Sequence, residues 1–285
     1  MRWAMGVGWG LVVLVLVIGV ALGVGAWRHQ RSRSAQWAHL AAGGPGVPTP
    51  PTTEAAPLPP IVERALARAL GGQPPPEGLA VLAQRAAIRG KPGEPWRELT
   101  AAQALSADPP GFVWSAAVPL LPGLNVYATD ALIAGEGSLT VSLAGLVTIA
   151  RATGPEMTSG ELHRFLAETV WLPQVWRTAH LIRWEAAGPR RARATLSTAG
   201  TTVSGVFEFD AQGRPLAYET EARAREVDGR YEPTPFRGTF AGHRRLGGVE
   251  IPTEVRVFWL LPEGPFEYFR GTVESLEFRR PDALR

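Results

Sequence analysis

The 285-residue sequence contains no cysteine. Disulfide bonds, thiolate chemistry and cysteine-ligated metal sites are therefore excluded. Both cytoplasmic and exported proteins can lack cysteine, so this absence does not indicate a compartment.

The sequence also lacks a concentrated basic patch, although its isoelectric point is 9.8 and its net charge is +3. Arginines are spread along the chain and alternate with acidic residues, as in "ETEARAREVDGR" at residues 219–230. A nucleic-acid surface needs basic residues concentrated without compensating acids. We therefore predict no nucleic-acid partner.

Motifs that carry enzyme chemistry are missing as well. The histidines form no H-E-x-x-H motif and no pair at helical ligand spacing; they are His29, His39, His163, His180 and His243. No G-x-S-x-G turn and no phosphate-binding glycine loop occurs. The sequence thus predicts no catalytic residues, no metal site and no cofactor.

A long apolar run opens the chain. From Trp3 to Trp27 there is no charged or strongly polar side chain. A helix of roughly 25 residues, at about 1.5 Å per residue, exceeds the ~30 Å hydrocarbon core of a bilayer. We predict that residues 1–28 form a single-pass transmembrane anchor. A cleavable signal peptide is the alternative, but its apolar region is usually only about 7–15 residues long.

The charges that flank this run bear on its orientation. Arg2 precedes it, and Arg28, Arg31 and Arg33 follow it. The positive-inside rule alone would place the bulk of the protein in the cytoplasm. The family resemblance given below implies the opposite side, and we expect an extracytoplasmic domain attached to the cell membrane.

Two further segments follow the predicted anchor. Residues 29–60 read as a basic juxtamembrane segment and a proline-rich tether, because "AAGGPGVPTPPTTEAAPLPP" cannot pack a core. Residues 61–285 are predicted to form a single β-rich globular domain. It begins with an amphipathic helix at 61–72 that ends at glycine, followed by a strand within 79–90.

Alternation with a period of two dominates the chain beyond Pro109. Apolar side chains alternate at Leu139, Val141, Leu143, Val147 and Ile149, and again in "RARATLST" and "TVSGVFEFD". In "AYETEARARE" the odd positions from Glu219 to Arg225 are all charged, which predicts a solvent-facing side. About nine or ten antiparallel strands are expected. The predicted fold class is α+β, mainly antiparallel β: a curled sheet or half-barrel with a covering helix, preceded by one transmembrane helix.

The covering helix is predicted in "GELHRFLAETVWLP", residues 160–173. On a helical wheel one arc is apolar, formed by Leu162, Phe165, Leu166, Thr169 and Val170. Glu161, Arg164 and Glu168 fall opposite, which predicts a solvated back. Ser159 is the expected N-cap, Pro173 ends the helix, and His163 at the edge of the arc is interpreted as structural.

Five segments in this order resemble a family of bacterial membrane-attached proteins known only as a domain of unknown function. They are "PPGFVW" (109–114), "GELHRFLAETVWLP" (160–173), "VFEFD" (206–210), "GGVEIPTEV" (247–255) and "GPFEYFRG" (264–271). The resemblance covers about residues 60–280 and implies no catalytic residues. A helix followed by strands that end in "FEFDAQGRPLAYE" also resembles the half-barrel of bacterial lipoprotein carriers. That resemblance implies a concave sheet that binds acyl chains outside the cytoplasm.

Aromatic residues are abundant on the predicted sheet, and they are either ordinary core or the lining of a pocket. The pocket hypothesis assigns ligand binding to Trp114, Trp171, Trp184, Trp259, Phe266, Tyr268 and Arg270. Glu254 is a second candidate rim charge beside Arg270. The favoured function is a membrane-anchored, non-catalytic domain that binds a lipid or other hydrophobic ligand. The alternatives are an envelope scaffold or interaction module with a filled core, and an enzyme acting on a lipid or glycan.

Overall fold

The structure is a computed structural model that describes the backbone of residues 2–42, 57–178, 180–198 and 200–280. Side chains are described from Leu16 onward within these ranges. Most of the predicted proline-rich tether, residues 43–56, lies outside the described residues, as do the side chains of the first half of the predicted anchor.

The chain opens with helix α1, Arg2–Ala42. The helix therefore continues well past the predicted end of the anchor at residue 28. Among the residues that the structure describes, no helix combines the length and the apolar content needed to cross a bilayer.

The next elements confirm two predictions. Helix α2, Pro60–Leu70, ends at Gly71, whose φ of 61° is the left-handed conformation that glycine adopts freely. The segment after it is a strand, β1, Leu79–Ile88.

Five more strands complete the first half of the fold. They are β2 (Arg97–Ala107), β3 (Pro110–Leu121), β4 (Leu124–Ile133), β5 (Glu136–Leu143) and β6 (Val147–Thr153). Helix α3, Pro155–Glu168, follows, and two 3₁₀ turns come next, at Thr169–Trp171 and Pro173–Arg177. The second half contains β7 (Ile182–Gly188), β8 (Arg191–Thr198), β9 (Thr201–Phe209), β10 (Pro215–Val227), β11 (Arg230–Ala241), β12 (Arg244–Leu246), β13 (Val249–Ile251), β14 (Glu254–Leu261) and β15 (Gly264–Arg279).

Thirteen strands form one antiparallel sheet in the order β6-β5-β4-β3-β2-β1-β15-β14-β11-β10-β9-β8-β7. β12 and β13 form a separate hairpin. The prediction of a curled, mainly antiparallel sheet with a covering helix is confirmed, but the predicted number of strands is too low. Alternation failed to reveal β2 because its "TAAQALSA" is rich in alanine and varies little in polarity.

The position of α3 follows from this strand order. β6 and β7 are the two edges of the sheet, and α3 lies in the connection between them. Because the sheet curls, the helix crosses its concave side and contacts strands of both arms, including β4, β5, β9 and β10. The predicted apolar arc is confirmed, since Leu162, Phe165 and Leu166 are fully buried.

Two predictions about α3 are wrong. The helix begins at Pro155 after Gly154, so Ser159 lies inside its second turn and is not the N-cap. The solvated back does not exist either, because both faces of the helix are covered: Glu161 is buried, and the side chains of Arg164 and Glu168 are 17% and 14% exposed. A helical wheel cannot distinguish a helix resting on a sheet from one enclosed by it.

Strand alternation is correct where the sheet is regular. Ala192, Ala194 and Leu196 of β8 are fully buried, as predicted. In β10 the pairing register with β11 shifts between Thr220 and Arg223. This bulge inverts the alternation, so Arg223 points inward and is 8% exposed instead of facing solvent.

The start of β6 also departs from the prediction. Val147 and Ile149 were expected on a buried face, but they are 59% and 56% exposed. β6 is an edge strand, so no neighbouring strand covers it on one side.

Helix α1 packs on the convex face of the sheet. Trp37 and Leu40 are buried against Leu79, Val113 and Ala131. Closer to its middle, the ring of His29 stacks on Tyr127 at 4.0 Å and lies 3.1 Å from the Ser115 hydroxyl. Burial lowers the pKa of His29 to about 4, so the ring is neutral in this contact at pH 7.

Candidate functional site

The concave side of the sheet is filled in the arm formed by β7–β10. Its aromatic rings contact one another with centroids 5.0–6.2 Å apart, and the set comprises Trp176, Trp184, Phe207, Phe209 and Tyr218. Trp184 also donates its indole N–H to the Trp176 carbonyl at 3.2 Å. This arm is an ordinary packed core.

The centre of the concave side is hollow. A cavity of about 150 Å³ lies between the end of α3 and strands β1, β3, β11, β14 and β15. Its apolar wall consists of Ile88, Trp114, Ala167, Trp171, Phe236, Phe240, Val255, Val257, Tyr268, Phe269 and Val273. Polar groups line it as well: Gln84, Asp130, Arg164, Glu168, Arg223 and Thr272.

Gly238 is one reason for the hollow. It lies on β11 between Phe236 and Phe240, on the face that lines the cavity. A Cβ atom added at Gly238 would meet only the Phe240 ring, at 3.9 Å, which is ordinary van der Waals separation. The position therefore has room for a side chain that the sequence does not supply.

A buried ion cluster forms one wall. Arg164 lies 2.6 Å from Asp130, 2.8 Å from Glu168 and 4.0 Å from Glu161. The guanidinium also lies over the rings of Phe112 and Trp114, at 4.8 and 4.9 Å from their centroids. These contacts fix Arg164 between helix and sheet.

The acids of this cluster are perturbed by burial. Desolvation raises the pKa of Asp130, although Arg164 opposes the shift. Desolvation and the neighbouring Asp130 raise the pKa of Glu161 to about 8. Arg164 and Arg223 both lie near these two acids and oppose the rise in their pKa values.

A chain of amide groups connects the ion cluster to Trp114. The Trp114 indole N–H donates to the Gln84 side-chain oxygen at 2.9 Å, and Gln84 donates to Gln103 at 3.0 Å. Gln103 donates to Glu168 at 2.5 Å. The orientation of the Trp114 ring at the cavity wall is therefore set by hydrogen bonds as well as by packing.

Arg223 is the second basic group of the cavity wall. Its Nε donates to the Gly160 carbonyl at 3.2 Å and one terminal nitrogen donates to the Tyr268 hydroxyl at 3.1 Å. Its guanidinium lies over Phe236 at 4.6 Å and Trp259 at 5.5 Å. Sequence reasoning missed this residue because only the β10 bulge turns it inward.

His163 and Tyr218 form a separate buried pair, with 2.9 Å between His163 Nδ1 and the Tyr218 hydroxyl. Burial and, to a smaller extent, the nearby Arg223 lower the pKa of His163 to about 4. A Cβ at Gly205 would overlap the Tyr218 ring, so the glycine admits the ring at this place. The pair joins α3 to β10 and does not line the cavity, which agrees with a structural role.

The seven predicted site residues separate into two groups. Trp114, Trp171 and Tyr268 line the cavity, and Trp259 stacks behind Tyr268 at 5.7 Å. The others lie elsewhere: Trp184 is in the filled arm, Phe266 is buried beneath Arg89, and Arg270 lies over Trp96 at 4.4 Å. Glu254 and Arg270 both border a shallow depression formed by β1, β2, β14 and β15, apart from the cavity.

The carboxyl groups near the cavity belong to the ion cluster. Within the described ranges no group of three or more histidine, aspartate and glutamate side chains could hold a metal ion. Burial raises the pKa of Glu161 to about 8, but this residue is not part of the cavity lining. The two carboxylates that do line the cavity, Asp130 and Glu168, are both held by Arg164.

Comparisons with known proteins give a match to a sequence family and distant similarities to solved structures. The model described as "Family of unknown function (DUF6920)" matches residues 56–278. No curated protein matches. The fold is similar to a LolA superfamily protein from Nitrosomonas europaea, with 13% identity, a TM-score of 0.42, and 77% of this chain and 92% of that chain covered. It is also similar to a putative outer membrane lipoprotein-sorting protein domain from Vibrio parahaemolyticus, with 13% identity, a TM-score of 0.40, and 77% and 91% covered.

Proposed function

Because the chain belongs to DUF6920, a family of unknown function, we propose a function from its own geometry: it is a membrane-attached, non-catalytic protein that binds the apolar part of an amphiphile. The observation that carries this proposal is the cavity of about 150 Å³ at the centre of the concave side.

The lining supports an apolar ligand. Trp114, Phe236, Phe240 and Phe269 present rings to the cavity, and apolar pockets with a few placed polar groups are typical ligand sites. In other proteins a cavity of about this size accepts a benzene-sized molecule. This cavity therefore has room for a ring or for the end of an acyl chain, with the rest of the ligand outside it.

The polar wall supports an amphiphile over a pure hydrocarbon. Arg223 and Arg164 both line the cavity, and a guanidinium has five N–H donors. Arg223 uses donors on Gly160 and Tyr268 and still faces the hollow. Because a guanidinium only donates hydrogen bonds, this polar wall suits a hydrogen-bond acceptor such as a carbonyl or ester oxygen.

Attachment to the membrane is supported by the sequence of α1. The uncharged run from Trp3 to Trp27 has the length of a membrane-spanning helix, and its first half precedes Leu16, where the described side chains begin. The domain that follows is proposed to face the extracytoplasmic side, where it can exchange a lipid with the membrane.

Photo-crosslinking tests the cavity. Membranes that contain the full chain are incubated with a fatty acid carrying a diazirine on its tail, then irradiated, and the labelled peptides are mapped by mass spectrometry. Labels are expected on β11, β14 or β15, the strands that form most of the cavity wall.

A cavity-filling variant makes the test specific. Gly238→Leu places a side chain in the hollow, whereas Thr239→Leu introduces the same residue on the other face of β11. We expect Gly238→Leu to lose labelling at the cavity strands, Gly238→Ala to retain part of it, and Thr239→Leu to keep it. Labelling that persists in Gly238→Leu, or that occurs only on α1, would contradict the proposal.

A further inference from the structure

Exposed apolar side chains collect at one end of the β3–β6 arm. Leu120 and Leu121, in the last residues of β3, are 41% and 65% exposed. Leu146 and Val147, at the turn between β5 and β6, are 38% and 59% exposed. We name residues 119–123 and 144–149 the apolar rim.

Strand direction places both parts of the rim together. In an antiparallel run of consecutive strands every second turn lies at the same end. The β3–β4 and β5–β6 turns therefore share one end of the sheet with the β1–β2 segment, residues 89–96.

Helix α1 passes directly beside this rim. A Cβ on Gly25 would overlap the carbonyl oxygen of Ala144, and the side chain of Leu22 lies next to Gly123. The helix then runs down the convex face to Leu40, which lies next to Gly111 at the opposite end. Residues before Leu22 therefore project past the rim, and Leu16, Val17, Ile18 and Val20 are 49–66% exposed.

The two ends of the β3–β6 arm also differ in their charged residues. Residues 117–129 and 137–150, which include the rim, carry no charged side chain. The turns at the opposite end contain Asp108 and Glu136. On the rim side, Arg28 and Arg31 follow on α1, and the β1–β2 segment carries two cations, Arg89 and Lys91, and one acid, Glu94.

From this geometry we propose that the apolar rim is a membrane-contact surface that inserts into the interfacial region of a lipid bilayer beside α1. An apolar surface flanked by lysine and arginine suits the boundary between headgroups and acyl chains. The occupant is a bilayer, since the uncharged part of α1 continues outward from the same place. The inference rests on the membrane attachment proposed above and adds a second contact to it.

The contact also orients the cavity. The partly buried lining residue Ile88 is the last residue of β1, paired with Phe269, and both lie next to the β1–β2 segment. With the rim in the headgroups, this part of the cavity wall lies on the membrane side of the domain.

The absence of cysteine makes the test direct. Single cysteines are introduced as Leu121→Cys, Val147→Cys and, at the opposite end, Glu136→Cys, and each is labelled with an environment-sensitive dye. The full-length proteins are reconstituted into vesicles of phosphatidylglycerol and phosphatidylcholine in equal parts. Flotation reports attachment, and quenchers placed on lipid tails or in the buffer report the position of each dye.

The outcomes separate the two proposals. When the protein is attached to vesicles, we expect the emission of the dyes at positions 121 and 147 to shift to shorter wavelength. These two dyes should be quenched by the lipid-tail quencher and protected from aqueous iodide. The dye at position 136 should stay accessible to iodide. Attached protein with all three dyes accessible to iodide would overturn the rim and leave the anchor intact. Protein that does not float with vesicles would overturn both.

Discussion

The guanidinium of Arg164 on α3 lies 2.6 Å from the carboxylate of Asp130 on β4, and both side chains are less than one-fifth exposed. The pair connects the helix to the sheet at the wall of the cavity. Removing one partner of a buried pair leaves the other charge without compensation.

Arg164→Met should therefore destabilise the fold strongly. We expect a loss of about 3–5 kcal/mol in the free energy of unfolding, because Asp130 and Glu168 both lose their buried partner. Chemical denaturation of the full chain in micelles measures it. Arg85→Met is the control, since Arg85 and Glu274 form a pair that is 74% and 45% exposed and should contribute at most about 1 kcal/mol. Equal losses in the two variants would contradict a buried cluster.

Glu161→Gln should change the pH dependence of stability. The pKa of Glu161 is raised from 4.5 to about 8 in the folded state. Between these pH values the folded chain keeps a proton on Glu161 that the unfolded chain releases. The contribution of Glu161 to the free energy of unfolding is therefore fully present below pH 4.5 and is lost as the pH rises through 8. The variant keeps a neutral side chain throughout.

Relative to the wild type, Glu161→Gln should thus gain stability steadily from about pH 4.5 to about pH 8 and then level off. The shifts of His163 and His29 are common to both proteins and cancel in the difference. Denaturation midpoints at several pH values measure the effect, with Glu221→Gln on the exposed face of β10 as baseline. If the difference in stability between Glu161→Gln and the wild type did not vary with pH, Glu161 would be ionised in the folded protein.

Regular alternation allowed much of the sheet to be predicted. The buried positions of β8 and β9 follow the period of two, as Ala194 and Phe207 illustrate. The apolar arc of α3 was equally clear, because Leu162 and Phe165 repeat at helical spacing. These signals are local and depend only on neighbours in sequence.

The residues of the cavity wall could not be predicted from local sequence patterns alone. Arg223 points inward because of a bulge, and a bulge is set by pairing with β11. Arg164 is buried because the sheet curls around α3, and curling is a property of the whole strand order. Of the predicted aromatics, Trp184 and Trp114 have similar sequence surroundings but lie in the filled and hollow parts of the concave side.

The approach of α3 to β5 makes a further prediction. A Cβ on Gly137 would lie 2.6 Å from the Cα of Thr158, whose hydroxyl accepts a hydrogen bond from the Gly137 N–H at 3.0 Å. Gly137→Ala should therefore push the helix from the sheet and cost about 1–3 kcal/mol.

The control for this substitution is on the helix itself. A Cβ on Gly160 would meet only the Ala224 carbonyl, at 3.8 Å, so Gly160→Ala should be neutral or stabilise by up to about 1 kcal/mol through helix propensity. Urea denaturation of the two variants under the same conditions compares them. If Gly160→Ala were the more destabilising, the close contact would lie elsewhere than between α3 and β5.

Truncation of Phe240 distinguishes a ligand cavity from a packing defect. Phe240 lines the cavity and is 6% exposed, and Phe209 is buried among the aromatic rings of the filled arm at 1% exposed. Phe240→Ala and Phe209→Ala should each cost about 3–5 kcal/mol. Only the first variant enlarges the hollow next to the proposed site. Unfolding is measured by denaturation with and without the fatty acid used for crosslinking.

A ligand that binds only the folded state adds stability that grows with its concentration, about 2.7 kcal/mol at one hundred times its Kd. Wild type and Phe240→Ala should both be stabilised, with the ligand preference of the variant shifted to a bulkier tail because its cavity is larger. Phe209→Ala should show the same increment as wild type and no shift in preference. A fatty acid that stabilises neither protein, or one whose effect is unchanged by Phe240→Ala, would mean that the hollow between β11 and α3 is not where the ligand binds.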